Sequence, residues 1–290
     1  MTHMSSLTLW LHNSGFIMKS IRQIARCFLS CILVHSFVQG QVSVVGELSQ
    51  DRFVNPGDVY EGSIALLNTT GEPQEAMIYQ TDYLFQADGT NRYGDPGTVP
   101  RSNASWITFS PSDVVIPPQE SSEVHYRVQI PADSLRRLNG TYWSMLMIET
   151  IPKRVPESSL PQTSENRQMG IRQSIRYAIQ IASHLVNTGT KEVRFLNAEL
   201  VSSQEGNRLL KLDIENTGTT GMRPEVYVEL FDENGSLEGR FEGLKYRIYP
   251  GTSVRQVIDL GRMFHGEYTV LIVIDDGGND VFGAQYTLEF

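Results

Sequence analysis

Side chains able to do chemistry are few in this chain and far apart. Of its six histidines, His125, His184 and His265 lie beyond residue 40, each alone in its stretch of sequence. A zinc hydrolase sets two histidines one helical turn apart around a glutamate, and a serine hydrolase sets its nucleophile on a Gly-x-Ser-x-Gly elbow. Neither pattern occurs, nor does a phosphate-cradling glycine loop. Asp275-Asp276-Gly277-Gly278-Asn279-Asp280 is the one cluster with the spacing of hard oxygen ligands for calcium. It lacks the downstream bidentate glutamate of an EF-hand and falls between two apolar runs, so a solvated hairpin turn is the preferred reading. Asp82, Asp88 and Asp95 are scattered over strand and turns and make no acid–base pair. Tyr142-Trp143 has the chemistry of a sugar platform, but aromatic residues on a strand belong more often to a sandwich core. The expectation is a protein without enzyme activity, metal or cofactor.

The elements around these residues follow a period of two. Val124, Tyr126, Val128 and Ile130 alternate with His125, Arg127 and Gln129, the pattern of a sheet wet on one face. Ser63–Asn68 and Ala76–Phe85 read as further strands, and Tyr142–Ile151 is apolar enough to be a central one. Turn formers separate them: Asn55-Pro56-Gly57-Asp58, Thr70-Gly71-Glu72-Pro73, Asp88-Gly89, Pro117-Pro118 and Asn139-Gly140. About seven short strands in about 140 residues predict a β-sandwich of immunoglobulin type. Ala132–Leu138 is the one helical candidate of this half. Pro152–Arg167 reads as a long loop before a strand-like stretch, Ile171–Val186.

The second half repeats the first. Leu210–Gly218 echoes Ile64–Gly71, and Val226–Phe231 with Asn234-Gly235 echoes Ile78–Phe85 with Asp88-Gly89. Val254–Leu260 echoes Val124–Ile130, and Gly266–Ile272 echoes Gly140–Leu146. The fold class expected is all-β, two tandem immunoglobulin-like sandwiches, at residues 41–188 and 189–290.

Residues 1–40 are read as a secretory leader. Met18–Arg26 carries three positive charges and no negative one, Cys27–Val38 is apolar, and Val38 and Gly40 fit a cleavage site. Residues 27–38 are too few to span a bilayer as a helix. A membrane-anchoring N-terminus is the alternative, and Met18 reads as the natural start with residues 1–17 an upstream extension. Cleavage after Gly40 removes both cysteines, Cys27 and Cys31, so disulfides and thiol nucleophiles are not expected in the mature chain. Lys and Arg total 24 against 33 Asp and Glu, a net charge of -9, which argues against a phosphate-backbone binder. The expected location is the periplasm or the cell surface, with no membrane span in the mature chain and no nucleic-acid partner.

Three stretches carry a resemblance to the N-terminal domain of periplasmic pilus chaperones, over about residues 42–186. Asp51-Arg52 precedes Asn68 by the interval between that family's anchor arginine and its first asparagine-ended strand. Gly140–Pro152 is similar to the family's aromatic strand ending in an acidic residue and Ile-Pro. Ile175–Ile181 resembles its alternating-hydrophobic donor strand. The resemblance implies a protein that binds pilin-like subunits with exposed sheet edges, lending Ile175, Tyr177, Ile179 and Ile181 by β-augmentation. It also implies a cationic cleft for the subunit's terminal carboxylate, with Arg52 as one anchor. The place of the family's second anchor, a lysine, falls on Ser183 or His184, and a neutral histidine is a poorer carboxylate clamp. Without the resemblance, Ile175–Ile181 reads equally as an ordinary edge or core strand. A second likeness, Asn55–Ser63 with Asn68–Gly71, is to bacterial surface immunoglobulin-like modules and implies a structural or adhesive role on protein or cell-wall glycan.

Overall fold

The computed structural model describes residues 42–132, 138–151, 174–262, 266–277 and 280–289. The leader, the helical candidate at 132–138 for the most part, the 152–167 loop and His265 lie outside them. Seventeen strands follow in chain order: β1 Val42–Val45, β2 Ser49–Val54, β3 Val59–Asn68, β4 Gln74–Phe85, β5 Asn91–Gly94, β6 Ile107–Ser110, β7 Asp113–Ile116, β8 Ser121–Gln129, β9 Thr141–Ile151, β10 Arg176–Leu185, β11 Val193–Ser202, β12 Arg208–Asn216, β13 Glu225–Phe231, β14 Leu237–Glu242, β15 Ser253–Asp259, β16 Glu267–Asp275 and β17 Val281–Glu289.

Two β-sandwiches result. The first stacks the sheet β1-β3-β8-β6 on the sheet β2-β10-β9-β4-β5, with β7 also paired to β4; the second stacks β11-β12-β15 on β14-β13-β16-β17. This strand order is that of an immunoglobulin-like fold. The four sequence echoes occupy matching places, since β12, β13, β15 and β16 stand in the second sandwich where β3, β4, β8 and β9 stand in the first. The matching strands β3 and β12 each end on a buried asparagine. Asn68 Nδ2 donates to the carbonyls of Ile116 and Pro117 at 3.0 Å, and Asn216 Nδ2 donates to those of Thr220 and Ile248 at 2.8 and 3.1 Å. These amides satisfy loop carbonyls that would otherwise be buried without partners.

Period two explains the packing. Val124, Tyr126 and Val128 of β8 enter the first core while the residues between them stay in water. β9 lies between β10 and β4 and is buried on both faces, as its near-continuous apolar run requires. Its even residues Leu146 and Ile148 enter the first core, and Trp143 faces the other way, toward Tyr249 of the second sandwich. The aromatic pair is therefore core, not a sugar platform: Trp143 stacks on Tyr249 at 4.7 Å and Tyr142 packs on Trp106 at 4.8 Å. The chain leaves β1, paired to β3, and crosses to lay β2 parallel to β10, so one short stretch serves both sheets.

Candidate functional site: the edge of β10 and the junction

β10 is the strand that the sequence marks as a donor, and its two halves differ. From Gln180 to Leu185 it pairs with β2 on one side and β9 on the other. From Arg176 to Ile179 it pairs with β9 alone among the described residues. The amide directions follow from two bonds. Thr150 N donates to Ile175 O (3.0 Å) across to β9, and Gln180 N donates to Leu48 O (2.8 Å) on the opposite side. Backbone groups alternate along a strand, so the N–H and C=O of Arg176 and Ala178 point to the open side. Two donors and two acceptors thus stand at an unpaired edge, held flat by the β9 ladder behind them and by the Arg176–Glu149 ion pair at 2.8 Å.

The side chains correct part of the expectation. Ile179 and Ile181 are at 0% exposure in this molecule's own core, so neither is available to be lent. The physical reason is register: β10 odd residues face the other sheet, and the strand is sealed from Gln180 onward by β2. Ile175 and Tyr177 are half-buried at the open end, and the Tyr177 hydroxyl donates to Val42 O at 2.8 Å.

The second correction concerns the charge anchors. Arg52 and His184 do not converge. β2 and β10 pair with Ser183 beside Arg52 and His184 beside Phe53, and alternate residues take opposite faces. Arg52 therefore lies on the face that Val54 and Leu185 bury in the first core, and its charge falls on Tyr60 and Tyr126. It is exposed and has no ion pair among the described residues. His184 looks the other way, toward the second sandwich, and it is occupied. Its Nε2 donates to Asp51 Oδ1 at 3.1 Å, its Nδ1 accepts from the Thr141 hydroxyl at 2.9 Å, and Thr141 Oγ1 accepts from Gly221 N at 2.7 Å. One Nε2–H tautomer satisfies the whole chain.

Asp51 is the centre of this junction. Besides His184 it accepts from Arg247 Nη2 at 2.5 Å and from the Tyr249 hydroxyl at 3.3 Å, both of the second sandwich, and from Ser49 Oγ at 3.4 Å. Burial opposes the charge on Asp51, but the His184 hydrogen bond and the Arg247 guanidinium outweigh it and hold the carboxyl below its ordinary range. Burial, then the Asp51 charge, pushes the Tyr249 phenol well up. The sequence offers no access to this cluster, because Asp51 and Arg247 are 196 positions apart and the Asp51-Arg52 stretch is marked only for its arginine. Beside it a cleft of ≈ 410 Å³ opens, lined by Tyr83, Phe85, Met145, Gln180, Tyr246 and Arg247 among others.

The described residues of the acidic turn form no metal-ready set. Lys191 Nζ lies 2.9 Å from Asp276 Oδ2 and 3.1 Å from Asp280 Oδ2, and Asp276 Oδ1 accepts from Arg223 N at 3.0 Å. No group of three or more metal-ligating residues occurs among the described residues. His125 lies on the exposed face of β8, 3.9 Å from Glu123. No helix among the described residues is long and apolar enough to cross a membrane.

No family model and no curated protein matches the chain. Solved structures similar over most of it include fimbrial chaperones. A chain of a chaperone–tip adhesin complex of CFA/I fimbriae biogenesis has 14% identity and a TM-score of 0.44, covering 85% of this chain and 97% of that one. The class 5 fimbriae chaperone CfaA has 15% identity and a TM-score of 0.42, covering 85% and 98%. A chain of the CsuC–CsuE chaperone–tip adhesion subunit complex of Acinetobacter baumannii has 13% identity and a TM-score of 0.40, covering 84% and 97%. At these identities and TM-scores the likenesses add nothing to the strand order, on which the fold stands.

Proposed function

We propose that this chain is an exported chaperone-like protein that binds and caps partner subunits by β-strand donation, with domains at residues 41–188 and 189–290. The observation that carries the reading is the open edge of β10. The amides and carbonyls of Arg176 and Ala178 face outward with no strand beside them among the described residues. A partner whose own sheet lacks a strand completes it there, main-chain bonds giving affinity and the half-buried Ile175 and Tyr177 giving apolar contact. Export rests on the basic-then-apolar leader. Arg52, exposed and without an ion pair among the described residues, stays the candidate anchor for a terminal carboxylate; His184, taken by Asp51, is withdrawn from that role.

Ala178→Pro is the direct test. It deletes an outward N–H that the β9 ladder does not use, a change tolerated at a sheet edge. Partner proteins co-purified from an osmotic-shock extract should fall to background while the melting temperature stays near the parent's. Undiminished co-purification by a folded Ala178→Pro protein would remove strand donation. A second reading, a structural or adhesive surface module, is favoured by one observation: Arg52 and His184 do not assemble into a clamp. That reading predicts partner binding indifferent to Ala178→Pro and to Arg52→Ala alike.

A further inference from the structure

The second sandwich leaves one long sheet edge with no strand beside it among the described residues. β17 stands where β10 stands in the first sandwich, but no described strand takes the place that β2 has there. β11 stays on β12 from Val193 to Ser202 instead of crossing over, and no described strand pairs with the outer side of β17. Between β11 and β17 an apolar seam of ≈ 320 Å³ stays open, lined by Phe195, Leu200, Leu210, Val270, Ile272 and Leu288 among others.

Proteins blunt exposed edges with short strands, bulges, proline or charge, and the other edges here follow that rule. β1, β5 and β6 have four residues each. β11 breaks register between Phe195 and Asn197, β14 carries Glu238, Arg240 and Glu242, and β15 carries Arg255 and Asp259. β17 has none of these devices: nine residues in unbroken register, no proline, and no charge from Val281 to Leu288. The Asp276 N to Asp280 O bond continues the β16–β17 ladder. Even residues of β17 therefore bond to β16, and the backbone groups of Val281, Gly283, Gln285, Thr287 and Glu289 point outward.

We propose that β17 pairs antiparallel with β17 of a second copy about a twofold axis at Gln285, joining the two sheets into one. The strand is self-complementary in that register. Phe282 meets Leu288 on the core side, Ala284 meets Tyr286, Gly283 meets Thr287, Val281 meets Glu289, and no like charges face each other. The second copy's core-side residues then lie over the open seam, in the place that β2 fills beside β10. The donor reading is not involved, because β10 takes no part.

Sedimentation velocity of the purified full chain, from micromolar to several hundred micromolar, tests this. The parent protein should show a concentration-dependent dimer. Gln285→Lys and Gln285→Glu, both at an exposed position, should each weaken it about tenfold or more at low salt by placing like charges on the axis. Mixing the two variants should restore the dimer through a Lys–Glu pair, a rescue that misfolding does not produce. A parent that stays monomeric throughout, or a dimer indifferent to both variants, would overturn the proposal.

Discussion

Asp51 carries more of the junction than any other residue, and its energetics are readable in its partners. Four donors converge on one half-buried carboxylate, two of them from the other sandwich. Asp51→Ala should cost about 1–3 kcal/mol at neutral pH, because it leaves Arg247 and the Tyr249 hydroxyl without an acceptor. The sign of its pH dependence is fixed by the lowered carboxyl. A group whose folded pKa lies below its unfolded value, 3.8, stabilises the fold fully above that value, and the contribution is lost as pH falls through the folded pKa. Denaturant melts between neutral pH and pH 2 should show a steeper acid loss in the parent than in Asp51→Asn. At the acidic turn, Lys191 Nζ already sits between Asp276 and Asp280 in the place a cation would take. Millimolar calcium should leave the melting temperature unchanged, since only a ligand favouring the folded state raises it; a rise of several degrees would contradict the lysine-closed geometry.

Among the elements, β10 is the one whose reading changes most between sequence and structure. Its alternation is real, but alternation states only that one face is apolar; it does not say whose core that face enters. Ile179 and Ile181 enter this molecule's own. Ile179→Ala should therefore destabilise the fold by about 2–5 kcal/mol, whereas Ala178→Pro should spare stability and remove binding. Thermal melts and co-purification on the same pair of variants separate a core position from an edge position one residue apart. The short strands β1, β2, β5, β6 and β7 escape the sequence reading because four to six residues hold too few periods to stand out. The β8 and β9 patterns are legible because they are long and each matches one environment.

Across the whole molecule, the junction joins two sandwiches that the chain builds separately. Thr141 N donates to Thr219 O and Ala87 N to Ser253 Oγ, while the Trp143–Tyr249 stack fills the space between. Gly140 makes the close approach possible: its φ is +64°, and a Cβ there would overlap the Thr219 carbonyl. Tyr249→Ala removes a fully buried ring from this contact and should cost about 3–5 kcal/mol. Calorimetry should show a single transition in the parent resolve into two in the variant; two transitions already in the parent would mean the sandwiches melt independently, and an unsplit, unshifted transition in the variant would mean the Tyr249 ring does not couple them.

The amino-acid sequence by itself determined the all-β class and the repeat of one strand order in two halves, because residue alternation and turn chemistry act over a few neighbouring positions. The echo of Ile64–Gly71 by Leu210–Gly218 was legible for the same reason, whereas the burial of Asn68 and Asn216 came only with the fold. Only the tertiary structure decided which part of β10 is open, that Arg52 and His184 stand on opposite faces, and that Asp51 meets Arg247. Those outcomes depend on which strand lies beside which and on a one-residue change of face, and both are set by packing between segments remote in the chain.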